Sequence, residues 1–183
     1  MTTQILLQGE EATILVQQMI VSVRWSTAVD LDLMVFYRAI DGREGGVFSP
    51  AFARGSMGNL TEFPFIGLSG DAGPLSGDSR KEETVRIAEL NSHAQIDIVM
   101  LDYEFARRGA TPEVAILEGE VVVRSNNGHI ITFPLGAGPR TAMRHVCRLV
   151  GEGTNVGRFT PVGLPLDLAG FALQIPGAIA LTS

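Results

Sequence analysis

The run Val29-Asp30-Leu31-Asp32-Leu33-Met34-Val35-Phe36-Tyr37 alternates in a way that only a strand satisfies. Successive strand side chains point to opposite faces, so Val29, Leu31, Leu33, Val35 and Tyr37 share one face and Asp30 and Asp32 share the other. Met34 and Phe36 continue the face of the aspartates, which places the two carboxylates where the strand passes from a polar end into a packed interior. Two residues along a strand separate Cα atoms by roughly 6.5 to 7 Å, near enough for both carboxylates to approach one cation or two neighbouring ones. Without a cation they repel, and the plainer reading is a solvated strand face.

Working outward, the chain is a succession of short β-type runs punctuated by Gly, Pro, Asn and Asp. The runs predict strands at Ile5–Leu7, Thr13–Val16, Met19–Trp25, Val29–Arg38, Glu62–Leu68, Glu83–Ile87, Gln95–Glu104, Val114–Arg124, Ile130–Pro134, Met143–Val150 and Arg158–Val162. Their spacing predicts an all-β sandwich or barrel. Ser125, Asn126, Asn127 and Gly128 read as a tight hairpin turn pairing the strands on either side. The segment after Thr141 reads two ways, since Ala142, Met143, Val146, Leu149 and Val150 also fit a capped helix. No boundary or repeat divides the chain, so residues 1–183 are expected to form a single domain.

Bulk properties narrow the partners. The 183 residues carry a net charge of −6 and no basic stripe, which argues against nucleic acid. One cysteine, Cys147, forms no intramolecular disulfide and supplies no zinc-type pair, which fits a reducing cytoplasm. The N-terminus lacks the basic region of a signal peptide and is broken by Glu10 and Glu11. The apolar C-terminus from Leu164 to Leu181 is interrupted by Pro165, Asp167, Gln174 and Pro176, so it is expected to form core strands and turns rather than a membrane span.

The loop Gly67 to Glu83, GLSGDAGPLSGDSRKEE, has the chemistry of a hard-cation site. Glycines turn carbonyls inward while Asp71, Asp78, Glu82 and Glu83 supply oxygens, the ligands that Ca²⁺ takes. A solvated surface turn has the same composition. Enzyme chemistry has weaker candidates. His93, His129 and His145 are scattered outside any metal-binding spacing, Cys147 lies in an apolar run, and the glycines at 136–138 and 151–157 lack a P-loop ending. Asp97, Asp102 and Glu104 are expected on one strand, Asp102 and Glu104 on one face, with Asp102 able to add an oxygen ligand; Arg107 and Arg108 follow in a loop.

Trp25, then Val29-Asp30-Leu31-Asp32-Leu33, then Gly70-Asp71, Gly77-Asp78 and Glu82-Glu83 together resemble the TerD family of tellurium-resistance and stress-response proteins. The family carries a W-D…V-D-L-D opening and a G-D-N-x-T-G-x-G-x-G-D-D-E loop, and weaker similarity runs on through Arg158-Phe159-Thr160-Pro161-Val162-Gly163 to cover most of the chain. The resemblance implies a β-sandwich of two mainly antiparallel sheets, a strand after Thr141, and non-enzymatic Ca²⁺ binding in a stress-response scaffold or sensor acting with other stress-response proteins. Carried over by position, it implies metal ligands at Asp30, Asp32, Asp71 and Glu82, with Asp78 near the acidic centre. The departures pull the other way. Ser26, Ala72, Arg80 and Lys81 stand where the family has oxygen ligands, and positive charge beside a cation site weakens it steeply. Two readings follow: one weakened Ca²⁺ site, or a metal-free interaction module in which Arg80 and Lys81 pair internally with the aspartates.

Overall fold

A computed structural model describes residues 2–26, 30–69, 80–109, 118–136 and 138–182. In chain order these form β1 (Thr2–Ile5), β2 (Ala12–Leu15), β3 (Gln17–Ser26), β4 (Leu31–Ala39), β5 (Glu44–Val47), β6 (Gly58–Asn59), β7 (Ile66–Leu68), β8 (Arg80–Glu89) and β9 (His93–Asp102). After these come α1 (Tyr103–Arg108), β10 (Gly119–Arg124), β11 (His129–Pro134), β12 (Met143–Gly151), β13 (Val156–Leu166), α2 (Leu168–Gln174) and α3 (Ile179–Thr182). The strands make two sheets, β1-β11-β10-β3-β8-β7-β6 and β2-β13-β12-β9-β4-β5. Among the described residues, β1 with β11 is the one parallel pair.

The alternation in β4 decides how the sheets stack. Leu31, Leu33, Val35 and Tyr37 enter the core between the sheets, where they meet Val21, Val23 and Trp25 of β3 and Val85 and Ile87 of β8. Met34 and Phe36, on the opposite face, join a second core with Val99 and Leu101 of β9 and Phe105, Phe171, Ile175 and Ala178 from the helical segments. Phe171 of α2 meets Phe36 edge to face at 5.0 Å between ring centroids, a favoured aromatic geometry. The second sheet is therefore buried on both faces at its centre, and the chain is an all-β sandwich with a helical cap on one side.

The segment after Thr141 is strand β12, as the resemblance implied, and Cys147 is a buried core residue whose thiol burial and the Asp97 charge push up. The hairpin at Ser125–Gly128 joins β10 to β11, with the Ser125 carbonyl accepting the Gly128 N–H at 3.1 Å. Three expectations are corrected. The apolar C-terminus is not strands beyond Leu166, because the Asp167 carboxylate accepts the Gly170 N–H at 2.6 Å and starts α2. Asp102 likewise caps α1 by accepting the Phe105 N–H at 2.9 Å, so Glu104, Arg107 and Arg108 are helical and Asp102 does not share a strand face with Glu104. Of Glu62–Leu68 only Ile66–Leu68 is strand, since Asn59 Oδ1 accepts the N–H groups of Thr61 and Glu62 and holds a turn. Among the described residues no helix is long and apolar enough to cross a membrane.

His93 is fully buried at the start of β9. It stacks on Phe63 at 5.5 Å and 7° and meets Tyr37 edge-on, while the Arg43 guanidinium covers the far side of Phe63 at 4.5 Å. Burial lowers its pKa from 6.5 to about 4, so in the folded chain the ring stays neutral through mildly acid pH. Between those two values the unfolded chain holds a proton that the folded chain lacks. The stability it permits is whole above about 6.5 and falls as pH drops toward 4. In urea denaturation, wild type should lose about 3 kcal/mol more than His93→Phe between roughly pH 7 and 4. Identical pH dependence in the two chains would show that His93 titrates in its ordinary range.

Candidate functional site

The acidic corner is built from the start of β4 and the start of β8. Antiparallel pairing of β3 with β8 sets Trp25 opposite Lys81, Arg24 opposite Glu82 and Val23 opposite Glu83. The period of two then sorts the β8 side chains. Glu83, Val85 and Ile87 point inward, and Glu82 points outward.

Each acid finds a different partner. Lys81 reaches across to Asp30, with Nζ 2.5 Å from Oδ1; the Asp30 side chain is 80% exposed and that of Lys81 20%. Arg24 grips Glu82 with Nε at 3.1 Å from Oε2 and Nη2 at 3.4 Å from Oε1, a two-pronged pair on the open face of the first sheet. Glu83 is buried and accepts the Leu33 backbone N–H at 2.8 Å, which ties the first sheet to the second. Asp32 is half-buried and lines a cavity of about 260 Å³ with Ser49, Ser69, Glu83 and Thr84.

The structure therefore brings Asp32 and Glu83 to one cavity, holds Asp30 against Lys81, and sets Glu82 on another face with Arg24. Asp71 and Asp78 lie outside the described residues. Glu83, rather than Glu82, faces the cavity; the alternation with Val85 and Ile87 already carries that signal in the sequence. Among the described residues no group of three or more His, Cys, Asp or Glu is disposed to hold a metal.

A second charged group lies away from this corner. Asp97 is fully buried, with His145 Nε2 at 2.8 Å, Arg148 Nε at 2.7 Å and Gln95 Nε2 at 2.6 Å from its carboxylate oxygens. Burial opposes the charge on Asp97, yet His145, Gln95 and Arg148 outweigh it and hold the carboxyl below its ordinary range. Cys147 belongs to the core between the sheets.

No family model matches the chain, and no curated protein matches it. Solved structures do. The crystal structure of SAV2460, a protein of unknown function, superposes with a TM-score of 0.51 at 17% identity over 87% of this chain and 96% of that one. A homologue of telluride resistance protein (TerD), SCO6318 from Streptomyces coelicolor A3(2), superposes with a TM-score of 0.50 at 14% identity over the same shares. The fold is TerD-like. Within this TerD-like sandwich Lys81 is the residue that neutralises Asp30.

Glu83 and Glu82 should separate in mutagenesis. Glu83→Ala leaves the buried Leu33 N–H without its acceptor and is expected to cost about 1–3 kcal/mol in chemical denaturation. Glu82→Ala removes only a partly exposed pair and should cost less than about 1 kcal/mol. Equal losses would contradict the assignment of Glu83 as the tie between sheets.

Proposed function

We propose that the chain is a non-enzymatic interaction module on a TerD-like sandwich, with its acidic corner neutralised by Lys81 rather than by Ca²⁺. The observation that carries this reading is the contact between Lys81 Nζ and Asp30 Oδ1 at 2.5 Å. A cation binding to Asp30 would have to displace an ammonium tethered to the adjacent sheet, or sit within a few ångströms of it, and like charges at that separation repel strongly. The pairing of Glu82 with Arg24 and of Glu83 with the Leu33 N–H supports the same reading, since each satisfies oxygen that a metal would need. The deep burial of Cys147 supports a binding role over catalysis. The likeness to a telluride-resistance homologue suggests a setting in bacterial stress response, with other cytoplasmic stress-response proteins as partners.

One observation favours the calcium reading. Asp32, Ser49, Ser69, Glu83 and Thr84, all oxygen-bearing side chains, line one cavity. Ca²⁺ takes such hard ligands at 6–8 coordination. A thermal titration separates the two readings. A ligand at about a hundred times its Kd contributes roughly 2.7 kcal/mol, or about 5–10 °C in Tm for a domain of this size. Metal-stripped protein should show no such rise on adding millimolar Ca²⁺. A saturable rise of several degrees that Asp32→Asn abolishes would instead establish the calcium site.

A further inference from the structure

We propose that the open face of the first sheet carries a binding groove for a small amphipathic carboxylate, with Arg86 holding the head and Ile20, Leu60 and Ala88 the apolar chain. The two sheets are treated differently on their outer faces. The helices pack against β9, β13 and β5, all in the second sheet. The outer face of β3, β8 and β10 displays alternate side chains whose neighbours Met19, Val21, Val85, Ile87, Val121 and Val123 fill the core.

Strand register aligns the groove. Gly67 pairs with Arg86, Arg86 with Ile20, and Ile20 with Arg124, which makes one row across four strands. Neighbouring strands lie about 4.8 Å apart, so the two arginine Cα atoms flank Ile20 at roughly 10 Å from each other. Leu60 folds over Gly67 as a wall beside Arg86; a Cβ at Gly67 would stand 3.3 Å from Leu60 Cγ, tighter than ordinary packing.

A backbone irregularity opens the floor. Gln17 pairs with Glu89 and Met19 with Ile87, so Gln18 stands opposite Ala88 with no shift of register, yet it adopts φ +58°, a conformation that costs a non-glycine residue. The Ala88 N–H is taken by the Phe65 carbonyl at 2.8 Å, and Phe65 also adopts φ +58°. Beside these two positive-φ residues lies a cavity of about 490 Å³ lined by Gln18, Ile20, Leu60, Thr61, Arg86 and Ala88. That volume lies in the range of small-ligand sites.

Charge selects the ligand. Arg86 and Arg124 are exposed and make no ion pair among the described residues, although the chain as a whole carries −6. Glu62, the nearest acid on the Leu60 turn, is held by Asn59 Nδ2 at 3.4 Å, and the Thr61 hydroxyl is committed to Asn59 Oδ1 at 3.0 Å. Glu82 is already paired with Arg24 further along the sheet. The free polar groups facing the groove are thus a guanidinium, whose planar fork matches a carboxylate, and the Gln18 amide. Around them the lining is aliphatic.

Octanoate titrated into the full chain is the probe, followed by amide NMR, with 1-octanol and acetate as controls. Saturable binding is expected, with the shifts clustered at Gln18, Leu60, Thr61 and Ala88. Arg86→Gln, an exposed site that leaves the fold intact, should weaken octanoate at least about tenfold, and 1-octanol should bind wild type weaker by a similar factor. Absence of saturable octanoate binding, shifts centred elsewhere, or affinity unchanged in Arg86→Gln would each overturn the proposal.

Discussion

The burial of β4 and β9 on both faces is the constraint around which the molecule is arranged, because a strand with apolar side chains on both sides needs two cores rather than one. Leu33, Val35, Ile98 and Met100 are covered by the first sheet. Met34, Phe36, Val99 and Leu101 need a separate cover, and Phe105, Phe171 and Ile175 supply it. At about 25 cal/mol per Å² of apolar area removed from water, leaving that second face open would be a large loss for one domain. The helices are short because that patch is all they cover.

The same arrangement explains where chemistry can sit. Polar groups on β4 are confined to its two ends, since its middle is apolar on both faces. Asp30 and Asp32 occupy one end and meet the start of β8, where alternation sends Lys81 and Glu83 toward them and Glu82 away. Glu83 stands buried because it accepts the Leu33 N–H, a buried donor that otherwise lacks a partner. The corner is therefore a junction between the sheets as much as a display of acids, and its ammonium gives it internal neutrality at Asp30.

The two outer faces have opposite fates for a physical reason. At its centre the second sheet's outer face is aromatic and aliphatic and is capped, whereas the first sheet's carries Arg24, Glu82, Arg86, Glu120 and Arg124, long charged side chains that remain in water. Such side chains shield the sheet along their stems while keeping their charge hydrated. Near Gln18, which adopts φ +58°, the open face becomes concave.

Local pattern in the sequence was enough for most of the strands, the Asn-Gly hairpin and the inward face of β4, because side-chain alternation and turn chemistry are properties of neighbouring residues. The resemblance carried by Val29–Leu33 and the acidic loop added the sandwich and the strand after Thr141. The same resemblance set Lys81 where the family has an acid, but its grip on Asp30, 51 residues away, needed the register of β3, β4 and β8. The capping roles of Asp102 and Asp167 were hidden because each sits at the end of a strand-like apolar run, where tertiary burial of Phe105 and Phe171 tips the choice to helix. Sequence alone thus determined which residues alternate and which turn. The tertiary structure decided which charge meets which, since pairing distances depend on how strands far apart in the chain are laid side by side.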